Sequence, residues 1–238
     1  MIPYERKERI LEYLTGKPSA TVRELAGQLF ISEASVRRDI AMLEQEGLVV
    51  RHYGGVMLSG NRNGVVPVSL RDAENSAVKD DIARRAAALV RDGDTVMMDA
   101  SSTVRRMLRY LNDRRDVTIV TNNLRIFSEC QNPSIRLYST GGLYNAENHA
   151  LMGTEAERSL LHFSADAVFF SSQGISEEGE ITDASEAETA LRRVMLARSR
   201  RRYFLCDSSK IGVRRLFTLC HKDDLTEIIG DRSFPWEG

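Results

Sequence analysis

Five polar clusters in the C-terminal part of the chain carry residue types that bind anions and hydroxyl groups. They lie at residues 99–103, 121–123, 141–142, 171–174 and 207–210. The first reads Asp-Ala-Ser-Ser-Thr, and its backbone N–H groups and three hydroxyls can cradle a phosphate where a helix begins. Lys210 in the last cluster can supply a neutralising positive charge. These residues therefore offer non-covalent binding of a phosphorylated molecule.

The candidate ligand residues also include carboxylates and amides that can hold the hydroxyls of a sugar. Asp99, Asn122, Asn123 and either Asp183 or Glu188 are the candidates for that role. The complete predicted set is Asp99, Ser101, Ser102, Thr103, Thr121, Asn122, Asn123, Gly141, Gly142, Gly174, Asp183, Glu188 and Lys210. A single serine-rich turn is equally typical of an ordinary helix N-cap. Five such clusters in corresponding positions favour a pocket.

A second group of candidates lies near the N-terminus, in residues 32–58. Ser32 is a good N-cap and Gly47 a good helix stop, so a helix is predicted between them. Val36, Ile40 and Leu43 fall on one face of that helix and should point into a small core. The opposite face would then be free to enter the major groove of DNA.

The outward face and the strand pair that follows supply the predicted DNA contacts. These are Ser32, Ala34, Ser35, Arg37, Arg38, Gln45, Arg51 and His52. Two adjacent arginines are also typical of a solvated basic face, and Arg51 could equally form a surface salt bridge. Whether Arg37 or Arg38 would contact bases or phosphates is left open by the sequence. Asp39 should cap or pair with an arginine instead of facing phosphates.

The elements around this helix predict a winged helix-turn-helix. Residues 6–15 have helical apolar spacing and end at 16–19. Thr21 and Glu24 form a capping box before a second helix, and residues 30–31 make the turn. Strands at 48–51 and 56–58, joined at Gly54-Gly55, form the wing, whose Arg51 and His52 could contact phosphates or the minor groove.

The rest of the chain predicts a second domain of α/β class with a mainly parallel sheet. Predicted helices and strands alternate from residue 76 onward, which is typical of helices on both faces of a parallel sheet. The helices are predicted at 77–91, 103–111, 123–130, 153–162 and 187–198, and the strands at 95–98, 117–121, 135–139, 167–170, 203–206 and 225–229. Ligands bind at the carboxyl ends of strands in such sheets, where the polar clusters fall. The predicted domains are 1–58 and 76–238, with a linker at 59–75.

The amino-acid composition indicates the compartment of the protein more clearly than it indicates a function. The net charge is -1, and residues 1–57 hold eight Lys/Arg and eight Asp/Glu, so any DNA-binding surface must come from local clustering. Cys130, Cys206 and Cys220 are an odd number without metal-ligand spacing, which indicates a reduced, cytoplasmic protein without a metal site or cofactor. No apolar run approaches a membrane span, and no signal peptide is expected.

The N-terminal residues resemble a known family of regulators. Four segments carry the resemblance: Ser-x-x-Ser-Val-Arg-Arg-Asp-Ile at 32–40, Leu-Glu at 43–44, Gly-Leu at 47–48 and Arg-His-Tyr-Gly-Gly-Val at 51–56. Together they look like the signature of DeoR-type bacterial transcriptional regulators. In that family the segment binds double-stranded operator DNA. The C-terminal part resembles the effector domain of the same family. The matching residues are the polar clusters at 99–103, 121–123, 141–142 and 207–210, Gly153, the 166–175 segment and residues 188–195.

The resemblance carries expectations about fold and effector. The family's effector domain is similar in fold to ribose-5-phosphate isomerase and senses phosphorylated sugars or related intermediates. This chain has Ser101-Ser102-Thr103 where the family more often has Gly-Thr-Thr, and Arg192 where lysine is common. Residues 171–174 read Ser-Ser-Gln-Gly, without the carboxylates of the isomerase loop, so no general base and no catalytic residue is expected.

Three functions remain open at this point. The first is a transcriptional regulator, most often a repressor in this family, of a carbohydrate uptake or catabolism operon, modulated by a phosphorylated sugar. The alternative is an isomerase-like enzyme with a regulatory appendage, although fold alone is a poor guide to activity. A third role, compatible with the first, makes the α/β half a platform for a homo-oligomer, because operators usually pair with two-fold dimers.

Overall fold

Helix caps set the architecture of the N-terminal residues. The computed structural model describes residues 3–15, 20–52, 55–58, 75–146, 148–234 and 236, and the chain divides into two units, residues 1–66 and 67–238. The N-terminal unit contains α1 (Pro3–Thr15), α2 (Val22–Leu29), α3 (Glu33–Gln45), β1 (Val49–His52) and β2 (Gly55–Leu58). The predicted helix end at 16–19, the turn residue 54 and linker residues 59–74 lie outside the described residues.

The predicted caps are confirmed in this unit. Thr21 and Glu24 make the reciprocal capping box of α2, and the Ser32 side chain accepts from Ser35 N at the start of α3. The helices bury one apolar face each, as their spacing predicts. The buried side chains are Ile10, Leu11, Leu14, Leu25, Leu29, Val36, Ile40, Leu43, Val49 and Val56.

The wing is attached to the helices through its second strand. β1 and β2 pair antiparallel, and Val56 forms an isolated bridge with Ala20 just before α2. A Cβ on Gly55 would lie 2.7 Å from the Ala20 carbonyl oxygen, so the close approach of the two backbones requires glycine there. The winged helix-turn-helix predicted from the sequence is therefore confirmed.

The C-terminal unit alternates helices and strands as predicted. Its helices are α4 (Ser76–Ala88), α5 (Ser102–Arg105), α6 (Leu124–Glu129), α7 (Thr154–Leu160) and α8 (Glu186–Ala197), with 3-10 turns at Arg106–Tyr110, Ser208–Lys210 and Lys222–Asp224. Its strands are β3 (Thr95–Met98), β4 (Thr118–Thr121), β5 (Arg136–Ser139), β6 (Leu143–Asn145), β7 (Ala150–Met152), β8 (Ala165–Phe170), β9 (Gly174–Ile175), β10 (Glu180–Asp183), β11 (Ser199–Cys206), β12 (Phe217–His221) and β13 (Glu227–Gly230). None of the described helices is both long and apolar enough to cross a membrane.

Six strands form one parallel sheet in the order β13-β11-β8-β3-β4-β5. Side chains alternate between its faces, as strand geometry requires. Met98 and Phe169 pack with α4 and α6 on one face, whereas Met97 and Phe170 pack with α7 and α8 on the other. The order reverses between β3 and β8, and such a reversal opens a crevice at the carboxyl ends of the strands. The predicted α/β class is confirmed.

Three features differ from the predicted elements. The helix predicted at 103–111 is the short α5 followed by a 3-10 turn, in keeping with the low helix propensity of its Ser, Thr and Val residues. The strand predicted at 203–206 begins at Ser199, because residues from Ser199 onward already pair with β8; Arg201 within this part contacts Asp94 at 2.7 Å. The β6-β7 hairpin and the antiparallel sheet β12-β10-β9 were not predicted; the β10-β12 pairing joins residues about forty positions apart, such as Glu180 and His221, which no local pattern shows.

Candidate functional site

Helix α3 presents a polar face away from the core of the N-terminal unit. Val36, Ile40 and Leu43 are buried against α1, α2 and β1, so the residues between them face outward. The exposed candidates are Ala34, Arg37, Arg38 and Gln45, together with the cap Ser32, while Ser35 is half-buried beside Ser32. The predicted DNA-contact residues on α3 therefore share one accessible surface.

The two adjacent arginines of α3 differ in what they contact. Arg37 Nη2 lies 2.9 Å from Glu33 Oε2, one turn earlier, and its side chain is 64% exposed. Arg38 makes no hydrogen bond or ion pair with any part of the chain that the structure describes. Because a base contact needs an uncommitted guanidinium, Arg38 is better placed for it than Arg37.

Arg51 on the wing is held against the same helix. Its Nε lies 3.1 Å from Glu44 Oε2, and its Nη2 donates to the Arg37 carbonyl at 3.5 Å. The salt bridge anticipated as the alternative role of Arg51 is therefore present, and it places the guanidinium beside α3. His52 belongs to β1, but its side chain lies outside the described residues.

Asp39 does not belong to the exposed face of α3. It is fully buried and pairs with Arg6 of α1 at 2.8 and 3.1 Å, so it pairs with an arginine as expected. The hydrogen bond that Arg6 donates to Asp39 raises the pKa of the Arg6 guanidinium against the opposing effect of burial. The pair joins the first and third helices and keeps the carboxylate off the exposed face of α3.

In the C-terminal unit, the polar clusters lie at the carboxyl ends of neighbouring strands. Residues 99–103 follow β3, 121–123 end β4, 141–142 follow β5, 171–174 follow β8 and 207–210 follow β11. Asp99 and Ser171 flank the reversal between β3 and β8, and Ser171 N donates to Asp99 Oδ2 at 3.4 Å. The sheet therefore brings together clusters that are far apart in sequence.

Hydrogen bonds connect these strand ends to one another. Thr121 Oγ1 donates to the Met98 carbonyl at 2.6 Å, and Ser171 Oγ donates to the Leu205 carbonyl at 2.7 Å. Lys210 Nζ donates to Ser171 Oγ at 2.9 Å. Four neighbouring strands, β4, β3, β8 and β11, thus end in a bonded polar layer.

Arg192 of α8 lies at the centre of a buried ion cluster in this layer. Its guanidinium contacts Asp99 at 2.7 Å, Asp183 at 2.9 Å and Glu188 at 3.0 Å. All four side chains are at most 5% exposed. Burial alone would lower the pKa of Arg192, but Asp99, Glu188 and Asp183 raise it well above its ordinary value. Arg192 stays charged at any pH at which the protein is folded.

Every carboxylate oxygen of this cluster already accepts a hydrogen bond. Besides Arg192, the donors are Ser101 N and Ser171 N to Asp99, Ser172 Oγ and Ser185 N to Asp183, and Asn148 Nδ2 to Glu188. Three negative charges surround one guanidinium, so the cluster depends on these donors for its stability. The sequence reasoning noted Arg192 only as a departure from lysine, and neither its role as counter-ion nor Asn148 was predicted.

Asn122 and its neighbours are oriented by β7. Asn122 Nδ2 donates to the Leu151 carbonyl at 3.0 Å, and Leu151 N donates back to the Asn122 carbonyl at 2.8 Å. Asn122 Oδ1 is buried and accepts no hydrogen bond from the described residues. Asn123 is the N-cap of α6, its side chain accepting from Arg125 N. Asn122 therefore presents an unused acceptor inside the site, whereas Asn123 has a structural partner.

The remaining candidates are the hydroxyl residues at the start of α5 and three glycines. Ser101 caps α5, and Ser102 and Thr103 are buried in its first turn, with exposed fractions of 4% and 1%. Gly141 and Gly142 are exposed with positive φ angles. A Cβ on Gly174 would lie 2.3 Å from the Val213 carbonyl oxygen, so this glycine permits close backbone packing at β9.

Two protein-family models match this chain, one for each unit. A model of the DeoR-like helix-turn-helix domain matches residues 6–61, and a model of the DeoR C-terminal sensor domain matches residues 74–232. The chain belongs to the DeoR family. It is thus a DNA-binding transcriptional regulator with a sensor domain, and the isomerase-like enzyme is not supported.

Individual relatives cover nearly the whole chain. The L-fucose operon activator of Haemophilus influenzae is 32% identical over 97% of this chain and 92% of its own length. The HTH-type transcriptional repressor GlcR of Bacillus subtilis is 30% identical over 98% of this chain and 90% of its own length. The solved ribose 5-phosphate isomerase of Plasmodium falciparum aligns with a TM-score of 0.42 at 15% identity, covering 57% of this chain and 52% of the isomerase.

Proposed function

We propose that this DeoR-family member controls a carbohydrate uptake or catabolism operon in the cytoplasm, as a repressor modulated by a phosphorylated sugar. A DNA-binding domain at 1–58 and a sensor domain at 76–238, joined by a linker at 59–75, would divide the two tasks. The observation that carries the DNA half is the single accessible polar face of α3 beside the wing. A relative named for an L-fucose operon supports the operon class, and a relative named as a repressor supports repression, although the L-fucose relative is named as an activator.

On the DNA side, α3 would enter the major groove with its N-terminal end nearest the bases. Ser32, Ala34, Ser35, Arg38 and Gln45 would face base edges and the nearest phosphates. Arg37 and the wing residues Arg51 and His52 would contact phosphates. Arg37 is already paired with Glu33 and Arg51 with Glu44, so neither guanidinium is uncommitted in the way that a base contact needs. A homo-oligomer with two-fold symmetry would present two such helices to a pseudo-palindromic operator.

On the sensor side, the phosphorylated sugar would bind across the carboxyl ends of the strands. The polar turn Ser101–Thr103 and Lys210 would hold the phosphate, with Gly141, Gly142 and Gly174 shaping the backbone around it. Asn122 Oδ1 would accept from a sugar hydroxyl, with Thr121 and Asn123 beside it. Asp99, Asp183 and Glu188 would add further acceptors, since an ionised carboxylate has about four lone-pair sites and each has only two or three donors here.

Control would follow from linkage between the two sites. An effector that binds more tightly to the state with poor operator fit shifts the population toward that state. A tenfold change in operator affinity requires only about 1.4 kcal/mol of differential binding. Sensing therefore does not need a large rearrangement of the sensor site.

Fluorescence anisotropy with the labelled DNA upstream of the gene tests this proposal. We expect specific binding by the full chain, weakened by at least one member of a panel of sugar phosphates. Arg38→Ala should weaken the binding, whereas Arg158→Ala, which removes an arginine 69% exposed on α7, should not. Absence of specific binding to any upstream fragment contradicts the DNA half, and the absence of any effector response contradicts the sensing half.

A further inference from the structure

The two edges of the six-stranded sheet end differently. At one edge, side chains cover the last residue of β13: the Arg85 guanidinium donates to the Gly230 carbonyl, and a Cβ on Gly230 would lie 2.5 Å from the Phe234 ring. At the other edge, no described strand pairs with the outer side of β5. An open strand edge is a template for pairing with another chain, so natural proteins usually cover or block it. The edge at β5 is therefore a candidate interaction surface.

The hydrogen bonds of β5 leave alternate backbone groups facing outward. Arg136 N donates to the Val117 carbonyl and Thr140 N to the Thr121 carbonyl, so residues 136, 138 and 140 face β4. Successive residues of a strand direct their backbone groups to opposite sides. The N–H and C=O groups of Leu137 and Ser139 therefore point away from the sheet, and no described residue bonds them.

The side chains on and around β5 are exposed and largely apolar. Tyr138 is 48% exposed, although its ring packs against the Phe163 ring with the centroids 5.4 Å apart. Leu161, in the turn after α7, and Leu143, at the start of β6, are exposed too. Arg136 is exposed and makes no hydrogen bond or ion pair within the described part of the chain. An uncommitted guanidinium beside an exposed ring suits a partner that offers the same two groups in reverse order.

Symmetry and charge together select one register for two antiparallel copies of β5. Opposed residues of a continuous sheet have side chains on the same face, so a two-fold axis must pass through a residue and not between two. An axis at residue 136 would oppose two Arg136 guanidinium groups, and one at residue 138 would leave Arg136 opposite the partner's Thr140. An axis at residue 137 places Arg136 opposite the partner's Tyr138, and the outward groups of the two Leu137 residues then bond each other.

We propose that β5 pairs antiparallel with β5 of a second copy of this chain, with Leu137 on the two-fold axis and Arg136 over the ring of the partner's Tyr138. The two sensor sheets then form one continuous sheet. This proposal rests on the two-fold homo-oligomer of the proposed function and assigns the surface that forms it. A two-fold axis relating two chains is what a pseudo-palindromic operator requires.

Sedimentation velocity of the full chain over a concentration series tests the interface. We expect the wild type to self-associate and Leu137→Pro to raise the dissociation constant about tenfold or more, because proline removes the outward N–H of each copy and leaves the bonds to β4 in place. Arg136→Glu should have a similar effect, since the face of a ring repels a carboxylate, whereas Arg136→Lys should keep most of the association. Leu216→Ser is the matched control, because Leu216 is exposed outside β5.

Disulfide cross-linking tests the register. Leu137→Cys places a thiol on the axis, where directly opposed Cα atoms are about 5.5 Å apart and within reach of a disulfide. Ser139→Cys is the matched control on the same face, since its two thiols lie on either side of the axis, about 13 Å apart. We expect oxidation by copper phenanthroline to give a covalent dimer of Leu137→Cys. Ser139→Cys and the wild type, whose three free cysteines lie outside β5, should stay uncross-linked.

The outcomes separate this surface from the oligomer on which it rests. If the wild type self-associates and both Leu137→Pro and Arg136→Glu associate as tightly as Leu216→Ser, the β5 interface is overturned and the oligomer stands. If Tyr138→Cys cross-links and Leu137→Cys does not, the register is overturned. A wild type that stays monomeric at every concentration while binding its DNA overturns the interface and the oligomer, and the DNA-binding function stands. Urea unfolding of each variant verifies that it folds before its association is compared.

Discussion

The two units place their polar side chains in opposite ways. On α3, Arg37, Arg38 and Gln45 are exposed, and Arg38 has no partner within the described residues. At the strand ends of the sensor unit, Asp99, Asp183 and Arg192 are almost completely buried and bonded to one another. The first arrangement suits a partner that brings its own dense charge, such as a DNA backbone. The second suits a small ligand that must be enclosed and recognised by a rigid frame.

Because of this difference, folding stability and binding should respond to different substitutions in the two units. Substitutions on the exposed face of α3 should change DNA binding with little effect on folding, because surface residues contribute little to stability. Substitutions in the buried cluster should affect folding first and binding second.

Removing the central cation of the sensor unit should produce the greatest loss. Arg192→Met leaves Asp99, Asp183 and Glu188 buried without a counter-ion, and breaking a buried pair costs about 3–5 kcal/mol. Urea unfolding of the full chain at pH 7 measures this loss.

Arg158→Met, on the surface of α7, is the control for that substitution and should change the free energy of unfolding by less than about 0.5 kcal/mol. An Arg192→Met variant within about 1 kcal/mol of the wild type would show that the cluster does not hold the sensor unit together.

Replacing the uncommitted arginine of α3 should act on DNA binding instead. Arg38→Ala should cost about 1–3 kcal/mol of operator affinity and relax specificity at one base pair if Arg38 reads a base. Its free energy of unfolding should stay within about 0.5 kcal/mol of the wild type. Anisotropy with a set of single-base operator variants measures the first effect. A uniform loss over all sequences would assign Arg38 to a phosphate.

The Asp207 carboxylate should give the sensor unit a pH-dependent increment of stability. Against the effect of burial, Lys210 and the hydrogen bonds from Ser209 hold its pKa in the folded protein below the ordinary value of about 3.9, so its contribution is complete above that pH and is lost as the pH falls through the folded-state pKa. Asp207→Asn should therefore cost on the order of 1–3 kcal/mol at pH 7, and the cost should decrease as the pH falls below the folded-state pKa of Asp207. A constant difference across the titration would show that the charge of Asp207 does not contribute.

The cap of α3 should give the smallest of these effects. Ser32→Ala removes the acceptor for Ser35 N and should cost about 1 kcal/mol of stability in the N-terminal unit. Ser32→Gly should cost only a few tenths of that amount, since glycine is tolerated at N-caps. Thermal unfolding of the two variants side by side provides the measurement. Equal losses in both would indicate that the hydroxyl contributes through something other than capping.

The sequence alone predicts those parts of the structure that depend on a pattern of neighbouring residues. The periodicity of Val36, Ile40 and Leu43 predicts which face of α3 is exposed, and the alternation of helices and strands predicts the strand ends. The contacts of Arg192 with Asp99 and of Asn75 with Asp207 span 93 and 132 positions, respectively. No periodicity reports such pairings, because they depend on the order of strands in the sheet. The framework of the site was therefore predictable, whereas its internal charge pairing was not.

The most direct test of the account measures the affinity of the full chain for its upstream DNA with and without a sugar-phosphate panel. We predict specific binding that is salt-dependent and is weakened about tenfold or more by one phosphorylated sugar, with the same sugar unphosphorylated inactive. Specific DNA binding that no phosphorylated sugar alters, at concentrations that saturate the protein, would contradict the claim that the strand-end site controls the regulator.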